Sequence, residues 1–318
     1  MSLRTLVTDT DLPLESGGVV HKLQIGYHTN GTLNTAKDNV VWVCHALTAN
    51  SDVADWWNGL IGDGCMINPE KYFIVCANII GSCYGSSEPS SFDNIKSVVT
   101  IRDFAKAHKI LAKHLGVAKI KLCLGGSLGG MQVMEWAIDS PDFFESIALI
   151  ATSPKHSPWG IAFNEAQRMA LEHPENGLET ARAIAMLSYR NYETFHQTQT
   201  DEEHKTDNYL ASSYMRYQGK KLANRFSKDS YYTLSKAMDS HDVGRGRDGI
   251  QNALSKIKAK TVVIGISSDI LFPVSEQKTL NEYIPQSKFY VIDSVYGHDG
   301  FLIETEKIGE ILNKELAI

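Results

Sequence analysis

The chain contains 318 residues, of which 43% are hydrophobic and 21% are charged. This is the composition of an ordinary globular protein, and the length predicts one large domain that carries an insertion. The net charge of −6 and the absence of a dense Lys/Arg cluster argue against a nucleic-acid partner. Residues 1–16 carry acids where a signal peptide needs an apolar core, and no apolar run reaches about 18 residues. We therefore expect a cytoplasmic protein without a membrane partner.

The spacing of cysteine and histidine predicts neither a metal site nor a disulfide framework. The five cysteines form an odd set without a Cys-x-x-Cys pair, which indicates reduced and mostly structural thiols. The sequence has no His-x-x-x-His pair and no Cys/His cluster, so we expect no bound metal. The cysteines are Cys44, Cys65, Cys76, Cys83 and Cys123.

Strand patterns begin near the N-terminus. Residues 21–29, "HKLQIGYHT", alternate in polarity, which is typical of a strand in an antiparallel edge pair. The later apolar runs do not alternate and are rich in β-branched residues, as expected for parallel strands that helices cover on both faces. These runs are residues 40–47, 72–80, 119–126, 146–152, 261–268 and 288–294.

Helical patterns lie between the strand runs. Residues 100–117 place apolar side chains on one stripe, with Thr100 as the N-cap and Gly116 just past the end. Residues 128–141 predict the next helix, which ends before Pro141. The alternation of strand and helix predicts an α/β protein with a mostly parallel, doubly wound sheet.

Strand patterns are absent from residues 155–240, where four stretches have helical patterns separated by polar joints. We interpret this segment as a helical lid inserted into the sheet domain, whose core comprises residues 1–154 and 241–318. The four predicted helices cover residues 160–173, 176–197, 208–226 and 227–241.

A glycine-rich turn, "LGGSLGG", follows the strand run at 119–126. A serine stands where a dinucleotide loop needs its second glycine, and no lysine is present for a triphosphate loop. The pattern Gly125-x-Ser127-x-Gly129 between a strand and a helix is instead typical of a nucleophile elbow, in which Ser127 is the nucleophile.

The partners of such a serine follow in a fixed chain order. The acid comes after a later strand and the histidine after the last one, which selects Asp269 and His298. The carboxylate would fix the histidine tautomer and stabilise the imidazolium. Asp293 is the alternative acid, and His241 lies outside the expected loop, where a structural role at the lid exit is favoured.

The backbone amide that follows Ser127, that of Leu128, is the first expected oxyanion donor. The second comes from the loop after an early strand, and we select the amide of Leu47 in "CHALTA". His45 precedes this loop at the strand end, so we expect it to shape the loop rather than to react.

Several long blocks from about residue 20 onward resemble one family in both content and order. These blocks include "CHALTANSDVADWWNGLIG", "GGSLGGMQVMEWA", "GISSDILFP" and "YGHDGFLIE". On these blocks the chain is similar to the homoserine O-acetyltransferase family, which consists of acyltransferases with the α/β-hydrolase fold. It departs from the usual family pattern at Ala49, where glycine is common, and at Leu128, where methionine is usual.

The resemblance implies a ping-pong transfer of acetyl from acetyl-CoA, as co-substrate, to the hydroxyl of L-homoserine, in methionine biosynthesis. It implies small-molecule substrates, no tightly bound cofactor and a homodimer formed through the lid. By the same resemblance, Asp299 would bind the substrate ammonium and Arg190 its carboxylate. An acetyl transfer to serine, a succinyl donor, and an esterase or thioesterase remain the alternatives.

Overall fold

The computed structural model describes residues 2–92, 98–202 and 204–316. Within these ranges, eight strands form a central sheet and a separate two-stranded ribbon joins Leu12–Pro13 to Val19–Val20. The strands of the central sheet are β1 (Arg4–Val7), β2 (Gln24–Asn30), β3 (Val40–Cys44), β4 (Phe73–Ala77), β5 (Ile120–Gly126), β6 (Phe144–Ile150), β7 (Lys260–Ile266) and β8 (Ser287–Ile292).

The strand order is β1-β2-β4-β3-β5-β6-β7-β8. The pairs β1/β2 and β2/β4 are antiparallel, and all the other neighbours in the sheet are parallel. The predicted mostly parallel sheet is thus confirmed, and β2 lies in the antiparallel part as its alternation indicated. Strand β1 was not predicted because most of its residues are exposed, which leaves no clear apolar pattern.

Helices cover both faces of the sheet. Strand β3 is therefore buried on both sides, which explains why its residues do not alternate between polar and apolar. Val41 and Val43 pack into one apolar cluster, whereas Val40, Trp42 and Cys44 pack into another on the opposite face. Both faces therefore lose contact with water, and burial of apolar area at about 25 cal/mol per Å² stabilises both layers.

The helices of the described chain are α1 (Val53–Trp56), α2 (Ile101–His114), α3 (Leu128–Asp139), α4 (Pro158–Leu171), α5 (Gly177–Tyr189), α6 (Tyr192–Gln199), α7 (Leu210–Ala223), α8 (Lys228–Asp239), α9 (Ile250–Leu254), α10 (Val274–Tyr283), α11 (Gly300–Ile303) and α12 (Thr305–Leu316). Helix α2 begins with a reciprocal capping box between Thr100 and Asp103, and Gly116 follows its end with a φ of +71°. The predicted ends of α2 are therefore confirmed. None of these helices is long and apolar enough to cross a bilayer.

Helices α4 to α8 lie in the segment between β6 and β7 that we interpret as a lid. The single helix predicted for residues 176–197 is wrong, because the chain leaves the helical region at Arg190, where φ is −109° and ψ is 173°. The side chain of Asn191 then accepts a hydrogen bond from the Thr194 amide and begins α6. Helix α5 consequently ends against the turn formed by Gly297–Asp299.

Candidate active site

Ser127 lies at the turn between β5 and α3, with a φ of +56° and a ψ of −127°. This is a strained backbone for a residue with a side chain. The turn leaves no room for larger neighbours, since a Cβ on Gly125 would lie 2.4 Å from the carbonyl carbon of Gly129. A Cβ on Gly129 would lie 2.1 Å from the carbonyl oxygen of Cys44. The glycines at positions −2 and +2 are therefore required by close backbone packing, as in a nucleophile elbow.

The strained turn is held by hydrogen bonds to the neighbouring strand end. The Ser127 amide donates to the Ile150 carbonyl at 2.9 Å, and the Thr152 hydroxyl donates to the Ser127 carbonyl at 2.8 Å. The side chain of Ser127 faces a cavity of about 390 Å³. These contacts fix the serine backbone while leaving its hydroxyl at the cavity wall.

His298 and Asp269 form a buried pair on loops after β8 and β7. Nδ1 of His298 lies 2.7 Å from Oδ2 of Asp269, whose other oxygen accepts the amides of Leu271 and Phe272 at 2.8 and 2.9 Å. An ionised carboxylate can only accept, so Nδ1 carries the proton and Nε2 offers its lone pair. His298 lines the same cavity as Ser127.

The alternative residues have other partners. Asp293 accepts a hydrogen bond from Ser267 at 2.9 Å rather than from His298. Nε2 of His241 is 3.0 Å from the Ser153 carbonyl oxygen, and burial lowers the pKa of His241 to about 3. Both side chains therefore serve local structure in the described chain.

The loop after β3 carries the amide of Leu47 at the cavity wall, and the Leu128 amide begins α3. Neither amide donates to an acceptor among the residues that the structure describes. Nδ1 of His45 lies 2.8 Å from the Ala46 carbonyl oxygen, and its Nε2 accepts the Ile79 amide at 3.1 Å. Burial lowers the pKa of His45 to about 4, so this histidine is a neutral support for the loop.

The cavity contains charges of both signs besides Ser127 and His298. Asp299 and Asp55 contribute carboxylates, and Arg182, Lys221 and Arg225 contribute cations. The Arg225 guanidinium donates to the carbonyl of Thr48 at 2.6 Å and to the hydroxyl of Tyr84 at 2.7 Å. The end of the α7 segment is thereby tied to the loop that carries Leu47.

Two arginines, Arg182 and Arg190, lie near the Asp299 carboxylate. Arg190 lines a second cavity of about 170 Å³, whereas Arg182 lines the cavity of Ser127. Sequence reasoning missed Arg182, although the i, i+7 spacing places it on the same face of α5 as Tyr189, which also lines the cavity. Arg182 thus lines the cavity of Ser127, and Arg190 adjoins the same cavity through its ion pair with Asp299.

Asp299 lines the cavity of Ser127 and forms an ion pair with Arg190, which lines the second cavity. Its Oδ2 lies 3.0 Å from Nε of Arg190, although the N–H is not aligned with that oxygen, so the contact is an ion pair without a good hydrogen bond. Burial raises the pKa of Asp299, and the charges of Arg190 and Arg182 oppose this rise. The pKa of the carboxylate next to His298 is therefore set by burial and by two cations, one within α5 and one at its end.

The strand order, the elbow and the His–Asp pair define a protein of the α/β-hydrolase fold. In agreement, the family model for the alpha/beta hydrolase fold matches residues 39–305. A homoserine O-acetyltransferase from Cyclobacterium marinum is 49% identical over 95% of this chain and 91% of its own length. The chain belongs to the homoserine O-acetyltransferase family.

Solved structures agree with this assignment. The homoserine O-acetyltransferase of Staphylococcus aureus is 30% identical, has a TM-score of 0.86, and is matched over 98% of this chain and 95% of its own. Esterase E22 has a TM-score of 0.88 over 99% of both chains but is only 20% identical, so it shows the fold alone. The fold is therefore shared by transferases and esterases, and function must be argued from the site.

Proposed function

We propose that this protein transfers an acetyl group from acetyl-CoA to the side-chain hydroxyl of L-homoserine. One observation carries the proposal: a single cavity combines Ser127 and His298 with a carboxylate, Asp299, and a guanidinium, Arg182. The first pair suits acyl transfer, and the second pair complements the ammonium and carboxylate of an amino acid. The names of the relatives from Cyclobacterium marinum and Staphylococcus aureus agree with this reaction.

In the first half-reaction, Ser127 Oγ attacks the thioester carbonyl of acetyl-CoA while Nε2 of His298 takes its proton. Asp269 holds the protonated Nδ1 and stabilises the imidazolium. The amides of Leu47 and Leu128 stabilise the tetrahedral oxyanion. Collapse breaks the C–S bond, His298 returns the proton to the leaving sulfur, and acetyl-Ser127 remains.

In the second half-reaction, the acceptor hydroxyl replaces the leaving thiol. Asp299 binds the ammonium of homoserine, and Arg190, whose Nε lies 3.0 Å from Asp299, binds its carboxylate together with Arg182 on the cavity wall. His298 takes the hydroxyl proton, the alkoxide attacks the acetyl carbonyl, and Ser127 leaves with that proton. Fixing both charges of the acceptor favours it over water.

The proposal also covers the donor, the lid and the assembly. Lys221 and Arg225 add positive charge to the cavity, which suits an anionic acyl-CoA as co-substrate. Residues 155–240 would act as a lid over this cavity and would supply the contacts of a homodimer in the cytoplasm. Size-exclusion chromatography with light scattering would detect the dimer.

The alternative reactions use a different acyl donor, a different amino-acid acceptor, or water in place of the acceptor. Serine lacks one methylene of homoserine, and such a difference is worth about 1–3 kcal/mol in a pocket. A succinyl donor would bring a second carboxylate to the cavity, and an esterase would use Ser127, His298 and Asp269 alone. The relatives' names do not favour these alternatives.

The test is to mix the purified protein with acetyl-CoA or succinyl-CoA, with and without homoserine or serine. Free thiol reports the first half-reaction, and mass spectrometry identifies the product. We expect sustained thiol release and O-acetylhomoserine only with acetyl-CoA and homoserine together. Equally fast release without an acceptor would identify an esterase or thioesterase instead.

A further inference from the structure

Gln132 lies fully buried on α3, one helical turn past Ser127 and Leu128. Its amide nitrogen donates to the carbonyl oxygen of His45 at 3.0 Å and to that of Leu128 at 3.2 Å. His45 belongs to the loop after β3, which also carries the Leu47 amide. One side chain therefore joins the two backbone segments that supply the proposed oxyanion donors.

These two segments are in direct backbone contact. A Cβ on Gly129 would lie 2.1 Å from the carbonyl oxygen of Cys44 and 3.5 Å from the carbonyl carbon of His45. The start of α3 therefore packs on the end of β3 with no room for a side chain between them. Backbone contact limits how closely the segments approach, and the two hydrogen bonds from Gln132 oppose their separation.

His108 fixes the orientation of the Gln132 amide. The two carbonyl oxygens can only accept, so the amide nitrogen of Gln132 must face them and its Oε1 must face His108. Nε2 of His108 lies 2.9 Å from that Oε1 and therefore donates to it, while the Cys44 thiol lies farther from the same nitrogen, at 3.8 Å. The buried His108 ring stacks on Trp136 at an interplanar angle of 14°. Neither side chain can turn without losing a hydrogen bond.

We propose that Gln132 is a positioning residue that holds the amides of Leu47 and Leu128 at the spacing needed for the oxyanion, and that His108 orients it. In a helix the carbonyl of a residue points away from its amide. Gln132 therefore bonds the side of the Leu128 backbone that faces away from the developing charge, and it acts through that backbone. The inference rests on the first half-reaction of the proposed function, the acylation of Ser127.

The central variant is Gln132→Met, which keeps the chain length and removes the hydrogen bonds. Stopped-flow measurements would follow p-nitrophenolate release from p-nitrophenyl acetate and CoA release from acetyl-CoA. Both donors form the same oxyanion, so we expect both acylation rates to fall by the same factor, about 10- to 100-fold. KM should stay nearly unchanged, because the affected contacts form in the transition state. A rise in KM at an unchanged rate would overturn the inference.

A transition-state analogue separates positioning from general structural damage. The Ser127 oxygen adds to the carbonyl carbon of 1,1,1-trifluoroacetone, its proton passes to His298, and the ketone oxygen becomes an oxyanion between the two amides. We expect the Ki of this ketone to rise in Gln132→Met by about the factor by which the acylation rate falls. An unchanged Ki with a slower rate would show that the oxyanion donors have not moved.

Gln167→Met is the matched control. Gln167 is also a buried glutamine on a helix, α4, and accepts the Tyr231 hydroxyl at 2.6 Å. We expect chemical denaturation to show a loss of stability in both glutamine variants, and the acylation rate to fall only in Gln132→Met. Equal rate losses in both variants would mean that the rate follows stability, and would overturn the inference.

Two His108 variants test the orienting contact. His108→Phe keeps a ring beside Trp136 and removes the donor, so it should slow acylation. His108→Gln restores an N–H donor and should return most of the rate. Equal rates in these variants would overturn the orienting role of His108. If circular dichroism shows that Gln132→Met does not fold, this pair decides the whole inference.

The two levels of proposal fail differently. If the protein makes O-acetylhomoserine but the Ki and the acylation rates do not change together in Gln132→Met, only the role of Gln132 is overturned. If p-nitrophenyl acetate acylates Ser127 and the variants behave as expected, but no O-acetylhomoserine forms, the proposed acceptor is wrong and the role of Gln132 stands.

Discussion

Ser127 is held in a left-handed backbone conformation by its neighbours rather than by its own preference. Its φ of +56° costs free energy, which the hydrogen bonds from Thr152 and to Ile150 help to offset. The result is a hydroxyl exposed to the cavity at the start of a helix, where the helix dipole favours developing negative charge.

At this position we predict that Ser127→Ala abolishes CoA release from acetyl-CoA while the protein stays folded. Alanine keeps the backbone and removes only the nucleophilic oxygen. The measurements are thiol release and the intact mass, which should show an acetyl adduct only with serine present. Activity above a few per cent of the original would exclude the covalent intermediate.

The glycines of the elbow carry a separate prediction about stability. Gly129→Ala places a Cβ 2.1 Å from the Cys44 carbonyl oxygen, which forces backbone movement. We expect the free energy of unfolding to fall by about 1–3 kcal/mol, measured by chemical denaturation. Gly309→Ala, within α12, is the matched control, because the nearest atom to a Cβ there is in the Leu60 side chain at an ordinary 3.7 Å. That control should be neutral or stabilising, and an equal loss in both variants would contradict the packing argument.

At the scale of elements, a side chain just past helix α7 supports the loop that follows strand β3. Arg225, just past α7, donates to the Thr48 carbonyl across 177 residues of sequence separation. The same loop is stabilised by the neutral ring of His45, which contacts the Ala46 carbonyl oxygen and accepts the Ile79 amide. The lid segment and the oxyanion loop are thus joined by one hydrogen-bonded side chain.

We predict that Arg225→Ala slows CoA release by about tenfold, less than the roughly 10²- to 10³-fold cost of removing an oxyanion donor outright. The loop loses its anchor, so the Leu47 amide is less well placed. Stopped-flow thiol release with saturating acetyl-CoA is the measurement. Lys221→Ala removes a cation of the same cavity that does not anchor the loop and should alter KM more than the rate. Identical rate losses in both variants would contradict the anchoring role.

At the scale of the whole molecule, buried histidines link stability to pH. Burial lowers the pKa of His45 and His156 to about 4 and that of His241 to about 3, from the ordinary 6.5. Below pH about 6.5 the unfolded chain therefore binds more protons than the folded one, and acid favours unfolding. Glu276 acts in the opposite direction, since burial raises its pKa to about 7.

Burial also raises the pKa of Asp239 and Asp299, so these two carboxyls oppose the histidines together with Glu276. The pKa values of the three histidines are lowered strongly, so we predict that the free energy of unfolding falls as the pH is lowered from 6.5 towards 4. Each histidine contributes up to about 1.4 kcal/mol per pH unit in that window. Urea denaturation at pH 7, 6 and 5 measures the slope. His241→Gln should make the slope shallower, and an unchanged slope would show that this ring does not contribute.

The whole sheet also explains how the reactive groups meet. Ser127 follows β5, Asp269 follows β7 and His298 follows β8, and these strands are parallel. Parallel strands present their carboxyl ends at one edge, so groups far apart in sequence converge there. The loop after β3 reaches the same edge with Leu47.

The amino-acid sequence by itself determined the elbow and the chain order of serine, acid and histidine. These depend on local glycine spacing and on strand succession, both of which are visible along the chain. It also determined α2, because capping residues act over a few positions. Strand β1 was not predictable, since its exposed residues leave no apolar period.

Only the tertiary structure decided which arginine reaches which cavity. Arg190, at the break that ends α5, lines the second cavity and pairs with Asp299, while Arg182, within α5, lines the cavity of Ser127. The hydrogen bond from Arg225 to the Thr48 carbonyl could likewise not be predicted from the sequence. Such placements depend on the rotation of helices and on packing between distant segments, which no local pattern of residues specifies.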